Sequence, residues 1–156
     1  MREILFRGKA INRDRYESFR TDYKNGDWVY GLLTRKFDER FENLPAEMTN
    51  EDGISGIDVD YKTIGEYTGL NDRNGTRIFE GDIVKAPYID PIFHSTWDID
   101  KQPTEVALVK FDMGQYYIDY IEGQYRFTVY VCQEYIEVIG NIYDNPELVT
   151  TVRSEV

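Results

Sequence analysis

Alternation of apolar and polar side chains is clearest in the last third of the chain. Apolar residues recur at every second position over residues 107–111, 116–120 and 125–131, and a glycine lies between each pair of runs. A period of two places alternate side chains on opposite faces of a strand. We therefore predict a three-stranded antiparallel meander here, followed by one more strand over residues 136–142.

Shorter runs of the same kind occur earlier in the chain. They predict strands at residues 4–6, 28–33, 57–61 and 83–86, with residues 64–67 continuing the sheet. Between residues 36 and 50 the apolar side chains are spaced by three or four, which favours one or two helical turns before Pro45. Residues 87–103 contain three prolines, and proline has no N–H for a strand ladder, so we predict a surface loop there.

The predicted elements define a fold class. Short strands, frequent Gly and Asn turns and at most one or two short helices indicate a mainly β protein. Because closure removes exposed strand edges, we expect a rolled antiparallel sheet or a small β-barrel. A chain of 156 residues suffices for one core and is short for two, so we predict a single domain over residues 1–150 and a tail over 151–156.

Two tight-turn signals lie close together in residues 68–85. Asn74 and Gly75 tolerate positive φ, and Gly81 permits a second reversal before the next strand. The spacing fails the calcium-loop pattern, and no Gly-Lys-Ser/Thr phosphate loop is present. We therefore predict a structural turn motif. It consists of Gly69, Asn74, Gly75, Gly81 and Asp82.

The same stretch carries a family resemblance. It contains Thr63-Ile64-Gly65-Glu66-Tyr67-Thr68-Gly69-Leu70, then Asn74-Gly75, then Phe79-Glu80-Gly81-Asp82-Ile83-Val84. Two further pieces are Arg2-Glu3-Ile4-Leu5-Phe6-Arg7 and Ile139-Gly140-Asn141-Ile142-Tyr143-Asp144-Asn145-Pro146-Glu147-Leu148. Together they resemble the YopX family of phage and prophage proteins, although Gly8-Lys9 stands where that family often has Ala-Trp. The resemblance implies a mostly β protein encoded by a phage or integrated element, with no assigned catalytic residues.

The charge distribution limits the partners. Residues 1–40 hold 10 Lys+Arg against 7 Asp+Glu, and the rest of the chain holds 8 against 22, so the whole chain carries −11. Such a charge repels phosphate backbones, and we do not expect nucleic-acid binding outside the Arg-rich N-terminal part. No apolar run is long enough for a membrane helix and no secretory signal is present, so we expect a cytoplasmic protein of the bacterial host cell, not bound to a membrane.

A few residues have side chains suited to metal binding or nucleophilic chemistry. His94 lies in a loop with Asp90, Asp98 and Asp100, but a zinc site needs more His or Cys ligands than the chain has. Cys132, the single cysteine, lies in a predicted strand, where a buried inert thiol is the common situation. We therefore expect no catalytic residue, no metal and no cofactor.

Tyrosines are the strongest signal for a partner. Tyr116 and Tyr120 share one face of their predicted strand, Tyr117 lies on the other, and one core covers only one face. We therefore predict an interface that includes Tyr116, Tyr117 and Tyr120, and a homo-oligomer. The alternative is a closed barrel in which Trp28 and Tyr30 of the same chain cover the second face.

These observations lead to one main hypothesis about function. We expect a non-enzymatic interaction module that binds a host or phage protein of unknown identity. One alternative is an acidic nucleic-acid mimic that occupies a host DNA-binding protein. The other is a small hydrolase whose carboxylate site the sequence does not locate.

Overall fold

The structure is a computed structural model that describes residues 3–11, 23–35, 45–88, 102–121 and 126–150, without the side chains of residues 131 and 132. The strands of this described part are β1 (Phe6–Ala10), β2 (Trp28–Arg35), β3 (Ala46–Asn50), β4 (Ile57–Asn71), β5 (Arg77–Phe79), β6 (Asp82–Pro87), β7 (Thr104–Asp112), β8 (Gln115–Tyr120), β9 (Arg126–Thr128) and β10 (Glu137–Asn141). The helices are α1 (Val129–Cys132), which runs into a 3₁₀ turn (Gln133–Tyr135), and α2 (Glu147–Thr150). In this described part, no helix has the length and apolar character needed to cross a membrane.

The chain divides into two compact units, Met1–Tyr67 and Thr68–Val156. Strand β4 contributes residues to both units. Each unit has its own cluster of buried apolar side chains. The single domain over residues 1–150 stays a prediction.

The first unit is a rolled antiparallel sheet. Strand β1 pairs with β2 and β4, and β3 also pairs with β2 and β4, so the pairing runs around all four strands. Alternate side chains of these strands point inward and form the core. They are Ala10, Val29, Ala46, Met48, Ile57 and Val59. Strand β4 shows this alternation most directly, because Ile57 and Val59 are buried while Asp58 between them is not.

Strands β2 and β3 approach each other very closely at Gly31. A Cβ atom at this position would lie 1.9 Å from the backbone oxygen of Thr49. No side chain fits in that space, so glycine is required for the register in which Gly31 lies opposite Asn50. The close approach is a property of the pairing of the two strands.

The second unit contains an antiparallel sheet with the strand order β10-β6-β7-β8-β9. Strands β7 and β8 pair over six residue positions, from Ala107 opposite Tyr120 to Asp112 opposite Gln115. The core of this unit is built mainly from one face of the sheet. It consists of Ile78, Val84, Ala86, Ala107, Val109, Ile118, Tyr120, Val129 and Ile136.

The prediction of a mainly β fold with a rolled antiparallel sheet and short helices is confirmed. The meander is also confirmed, but its third strand ends at Thr128 and α1 follows, where the alternation predicted strand to residue 131. A short apolar run does not distinguish a strand from a buried helical turn, and Val129 enters the core from α1. Strand β1 begins at Phe6, two residues later than predicted.

The sheets also contain two strands that the sequence pattern does not predict. Strands β3 and β5 were not predicted, since β5 has only three residues and β3 lacks a long apolar run. The helical turns predicted before Pro45 lie in residues 36–44, outside the described residues. Most of the predicted loop over residues 87–103 is likewise outside them, although its start, Pro87, ends β6.

Candidate functional site

The turn between β4 and β5 is built around the carboxylate of Asp72. Its Oδ1 atom accepts hydrogen bonds from the backbone N–H groups of Asn74 and Thr76, at 2.8 and 2.9 Å. The backbone oxygen of Asp72 accepts a bond from the N–H of Gly75 at 3.0 Å. Gly75 has φ of 82°, whereas Asn74 does not have positive φ. The turn is thus stabilised by an aspartate side chain and closed by one left-handed glycine.

The same carboxylate also binds a distant segment. Oδ2 of Asp72 accepts a hydrogen bond from the N–H of Val138 at 2.9 Å, and the N–H of Arg73 donates to the oxygen of Ile136 at 3.0 Å. Asp72 is only 6% exposed. The turn is therefore attached to the beginning of β10, 66 residues further along the chain.

The second turn of the stretch, between β5 and β6, is also hydrogen-bonded to distant segments of the chain. Gly81 has φ of 85°, donates its N–H to the oxygen of Val109 and accepts the N–H of Ile142, at 2.9 and 3.0 Å. Oδ2 of Asp82, which is 1% exposed, accepts the N–H of Phe79 at 2.8 Å. The turn between β5 and β6 thus contacts both the central strand of the sheet and the segment after β10.

That C-terminal segment has its own side-chain turn. Oδ1 of Asn141 accepts the backbone N–H groups of Tyr143 and Asp144, both at 3.0 Å. Oδ1 of Asn145 accepts the N–H of Asn141 at 3.3 Å. A Cβ atom at Gly140 would lie 2.4 Å from this Asn145 oxygen, so the turn packs directly on the strand backbone. The segment is specified by short polar side chains that bond to nearby backbone.

We call the three turns together the turn junction, defined by residues 72–76, 79–82 and 140–145. Its carboxylates of Asp72 and Asp82 are buried and accept backbone N–H groups. Buried acceptors of this kind, bonded to backbone N–H groups, stabilise turns. The turn junction therefore contains four of the five predicted motif residues, Asn74, Gly75, Gly81 and Asp82. Gly69, with φ of 85°, lies before it in β4.

The structure also bears on the residues considered for metal binding and nucleophilic chemistry. Within the ranges that the structure describes, no group of three or more His, Cys, Asp or Glu side chains could hold a metal ion. His94 and its neighbouring aspartates Asp90, Asp98 and Asp100 lie outside those ranges, as does the side chain of Cys132.

The structure separates the three tyrosines of the predicted interface. Tyr120 lies in the core of the second unit at 3% exposure and donates its hydroxyl to the oxygen of Pro87. Tyr116 packs partly against the same core, and Tyr117 lies on the opposite face of β8. The three side chains are not brought together on one surface. An interface role for Tyr116 and Tyr117 stays a prediction.

Tyr117 shares its face of the sheet with an ion-pair network. Lys110, directly opposite Tyr117, pairs with Asp119. The guanidinium of Arg126 lies 3.1 Å from Asp112 and 3.5 Å from Asp119. These exposed pairs contribute little to stability, but they neutralise the charges on this side of β7, β8 and β9.

The N-terminal basic residues were the one predicted place for nucleic-acid contacts. In the described part, Arg7 is buried at 5% exposure, and its guanidinium carbon lies 4.8 Å from the ring centroid of Trp28. The Lys9 ammonium lies 5.2 Å from the same centroid. Both cations therefore interact with an aromatic ring of their own unit.

An apolar surface lies at the turn between β7 and β8. Met113 is 88% exposed and Phe111 is 47% exposed, and the Phe111 ring contacts the Tyr116 ring at a centroid distance of 4.9 Å. We call Phe111, Met113 and Tyr116 the hairpin end. Met113 was not predicted as a site residue, although its place directly before the turn residue Gly114 is visible in the sequence. Asp72 was not predicted either, although an aspartate two residues before Asn74-Gly75 is typical of a side-chain turn.

The fold and the site together define a β-rich protein in which three turns form a hydrogen-bonded junction. Comparison with known proteins identifies its family. The model of the family described as "YopX protein" matches residues 12–150, and the chain therefore belongs to the YopX family. A search of the curated proteins finds no match.

The chain is similar to a solved structure, the crystal structure of protein EF1440 from Enterococcus faecalis, with 22% sequence identity and a TM-score of 0.49. The alignment covers 94% of this chain and 98% of that chain.

Proposed function

We propose that this protein is a non-enzymatic interaction module of phage or prophage origin that binds a host or phage protein. One observation carries the proposal: the polar groups of the turn junction bond to backbone, while large apolar side chains of the second unit are exposed. Exposed apolar groups on rigid strands are a common feature of protein-binding surfaces. The phage origin is suggested by membership of the YopX family.

The competing hypothesis of a nucleic-acid mimic receives less support. A mimic requires rows of carboxylates that are unpaired and regularly spaced, like phosphates. Several strand carboxylates are instead close to cations of the same unit: Asp119 to Lys110, and Glu47 and Asp58 to Arg35 at 3.3 and 3.6 Å. These pairs favour a surface of mixed charge.

The proposal is tested by reconstitution of a complex. The tagged protein is expressed in its bacterial host, the proteins that co-purify are identified by mass spectrometry, and each is then purified and titrated against the untagged chain. We expect one protein to form a complex of fixed stoichiometry. If no purified protein binds and the chain instead turns over an ester, phosphodiester or glycoside substrate, the hydrolase alternative replaces the proposal.

Self-association is measured separately. Light scattering coupled to size exclusion gives the mass of the particle, which is compared with 18.4 kDa for one chain. The predicted homo-oligomer through Tyr117 requires a mass that rises with concentration and falls in a Tyr117→Asp variant. A mass of one chain at every concentration removes this part of the prediction.

A further inference from the structure

The turn at the hairpin end has a backbone conformation that does not suit its sequence. Asp112 and Gln115 lie opposite each other, so Met113 and Gly114 form a two-residue turn, with φ of 50° and 80°. Positive φ at both positions is typical of type I′ turns, which favour Asn, Asp or Gly at the first position. In the described residues, Met113 is the only non-glycine residue with positive φ. Local turn preference therefore does not explain the methionine.

The side chains at this end continue the core beyond its edge. On the inner face, Ala107 lies opposite Tyr120 and Val109 lies opposite Ile118, and all four are buried. The next cross-strand pair is Phe111 with Tyr116. These two rings are in contact, yet Phe111 is 47% exposed, and Met113 beyond it is 88% exposed. An apolar row thus projects past the core at the end of the hairpin formed by β7 and β8.

We propose that the hairpin end is a docking anchor that inserts into an apolar socket on a protein partner whose surrounding surface is basic. This inference rests on the proposed function as an interaction module. It assigns the residues that enter the partner and the chemistry of the surface that receives them.

The size of the hairpin end favours a socket over a flat dimer interface. Large side chains such as Phe bury roughly 200 Å², so the exposed part of Phe111 offers about 100 Å² and Met113 no more than about 200 Å². A stable interface needs about 800 Å² from each partner. A small anchor contributes strongly only where a pocket surrounds it and excludes water. A second copy of the chain offering the same small surface would not supply such a pocket.

The net negative charge of the chain favours a partner with a basic surface. Next to the hairpin end, Asp112 pairs with Arg126 and Lys110 pairs with Asp119, so the cations there are close to carboxylates. The whole chain carries −11. A negative protein is steered toward basic surfaces and is repelled by phosphate backbones and anionic lipid. The proposed partner is therefore a folded protein with an apolar socket and a basic rim.

The test begins with cross-linking at defined positions. The photo-reactive amino acid p-benzoylphenylalanine is placed at position 113 or, as a control, at position 130, because Tyr130 is also highly exposed at 75%. Both proteins are irradiated in the bacterial host. We expect cross-linking of one protein from position 113 and not from position 130. That protein is then purified and titrated calorimetrically with the unmodified chain and its variants.

The variants separate binding from folding. Met113→Asn removes the apolar side chain but suits positive φ, so it should raise the thermal denaturation midpoint while weakening binding at least about tenfold. Met113→Leu keeps an apolar anchor and should bind within about threefold of the original chain. Phe111→Thr retains strand preference and should also weaken binding. Added salt should weaken the complex, since the proposed rim is basic.

The outcomes distinguish this inference from the function on which it rests. If the purified partner binds Met113→Asn and Phe111→Thr as tightly as the original chain, the hairpin end is not the anchor, although the interaction module stands. Cross-linking of position 113 only to a second copy overturns the choice of partner. If no protein binds the original chain, both proposals fail. An affinity insensitive to salt overturns the basic rim.

Discussion

Asp72 offers the sharpest test of how the turn junction is held together. Its carboxylate accepts three backbone N–H groups, from Asn74 and Thr76 on Oδ1 and from Val138 on Oδ2. Two substitutions remove different parts of this arrangement. Asp72→Ala removes all three acceptor interactions, while Asp72→Asn retains one carbonyl oxygen and replaces the other oxygen by an NH₂ donor.

The structure gives a magnitude for each substitution. A hydrogen bond to a charged group contributes about 1.5–3 kcal/mol. The amide oxygen of Asp72→Asn can serve Asn74 and Thr76, so the bond to Val138 is lost and the free energy of unfolding should fall by about 1.5–3 kcal/mol. Asp72→Ala loses three bonds at a site that is 6% exposed. Because some of the N–H groups will gain water, we expect a loss of about 3–6 kcal/mol.

Urea denaturation followed by far-UV circular dichroism measures these losses, and amide hydrogen exchange locates them. In Asp72→Asn the Val138 amide should exchange faster, while the Asn74 amide keeps its protection. Asp52→Asn is the matched control, because Asp52 is exposed in a loop. An Asp72→Asn stability within about 0.5 kcal/mol of the original chain, or unchanged exchange at Val138, would refute the assigned role.

Three other predictions concern the glycines, the core tyrosine and nucleic acid. Gly75→Val should lower the free energy of unfolding by about 1 kcal/mol or more through the φ of 82° alone, since nothing lies within 4 Å of a Cβ added there. Gly31→Ala should lower it by about 1–3 kcal/mol or more, because the added Cβ would meet the Thr49 oxygen. Urea midpoints measure both losses, and a midpoint equal to that of the original chain would contradict the corresponding assignment. Tyr120→Phe removes the hydrogen bond to the Pro87 oxygen and should lower the free energy of unfolding by about 1 kcal/mol. Tyr120→Asp would bury a charge and should prevent folding of the second unit, so the thermal melts of the two variants should differ widely. A random DNA duplex should not bind at sub-micromolar concentration and physiological salt, as fluorescence anisotropy will show, because the chain carries −11; tight binding would reverse this conclusion.

The local part of the fold was predictable from the sequence. A period of two identified β7 and β8, and the glycines between apolar runs identified the turns that join them. The residues of the turn motif were also recognisable, because Gly75 and Gly81 have the positive φ that glycine permits. These features depend on interactions between residues close together in the chain, so the sequence pattern contains them.

The exact form of local elements was less predictable where two conformations suit the same residues. The apolar residues after β9 fit either a strand or a helical turn, and α1 forms because Val129 then enters the core. Met113 adopts positive φ, although its side chain does not favour that conformation. Core packing decides the conformation in the first case, and the pairing of β7 with β8 decides it in the second.

The sequence alone determined that this chain forms short antiparallel strands joined by glycine turns, with two distinct faces on each strand. Only the tertiary structure decided which face is covered: Tyr120 is buried and Tyr117 lies on the opposite side of β8. It likewise decided that Asp72 reaches Val138, 66 residues away. Alternation specifies that two faces exist, but the choice between them depends on contacts between distant residues, which no local pattern encodes.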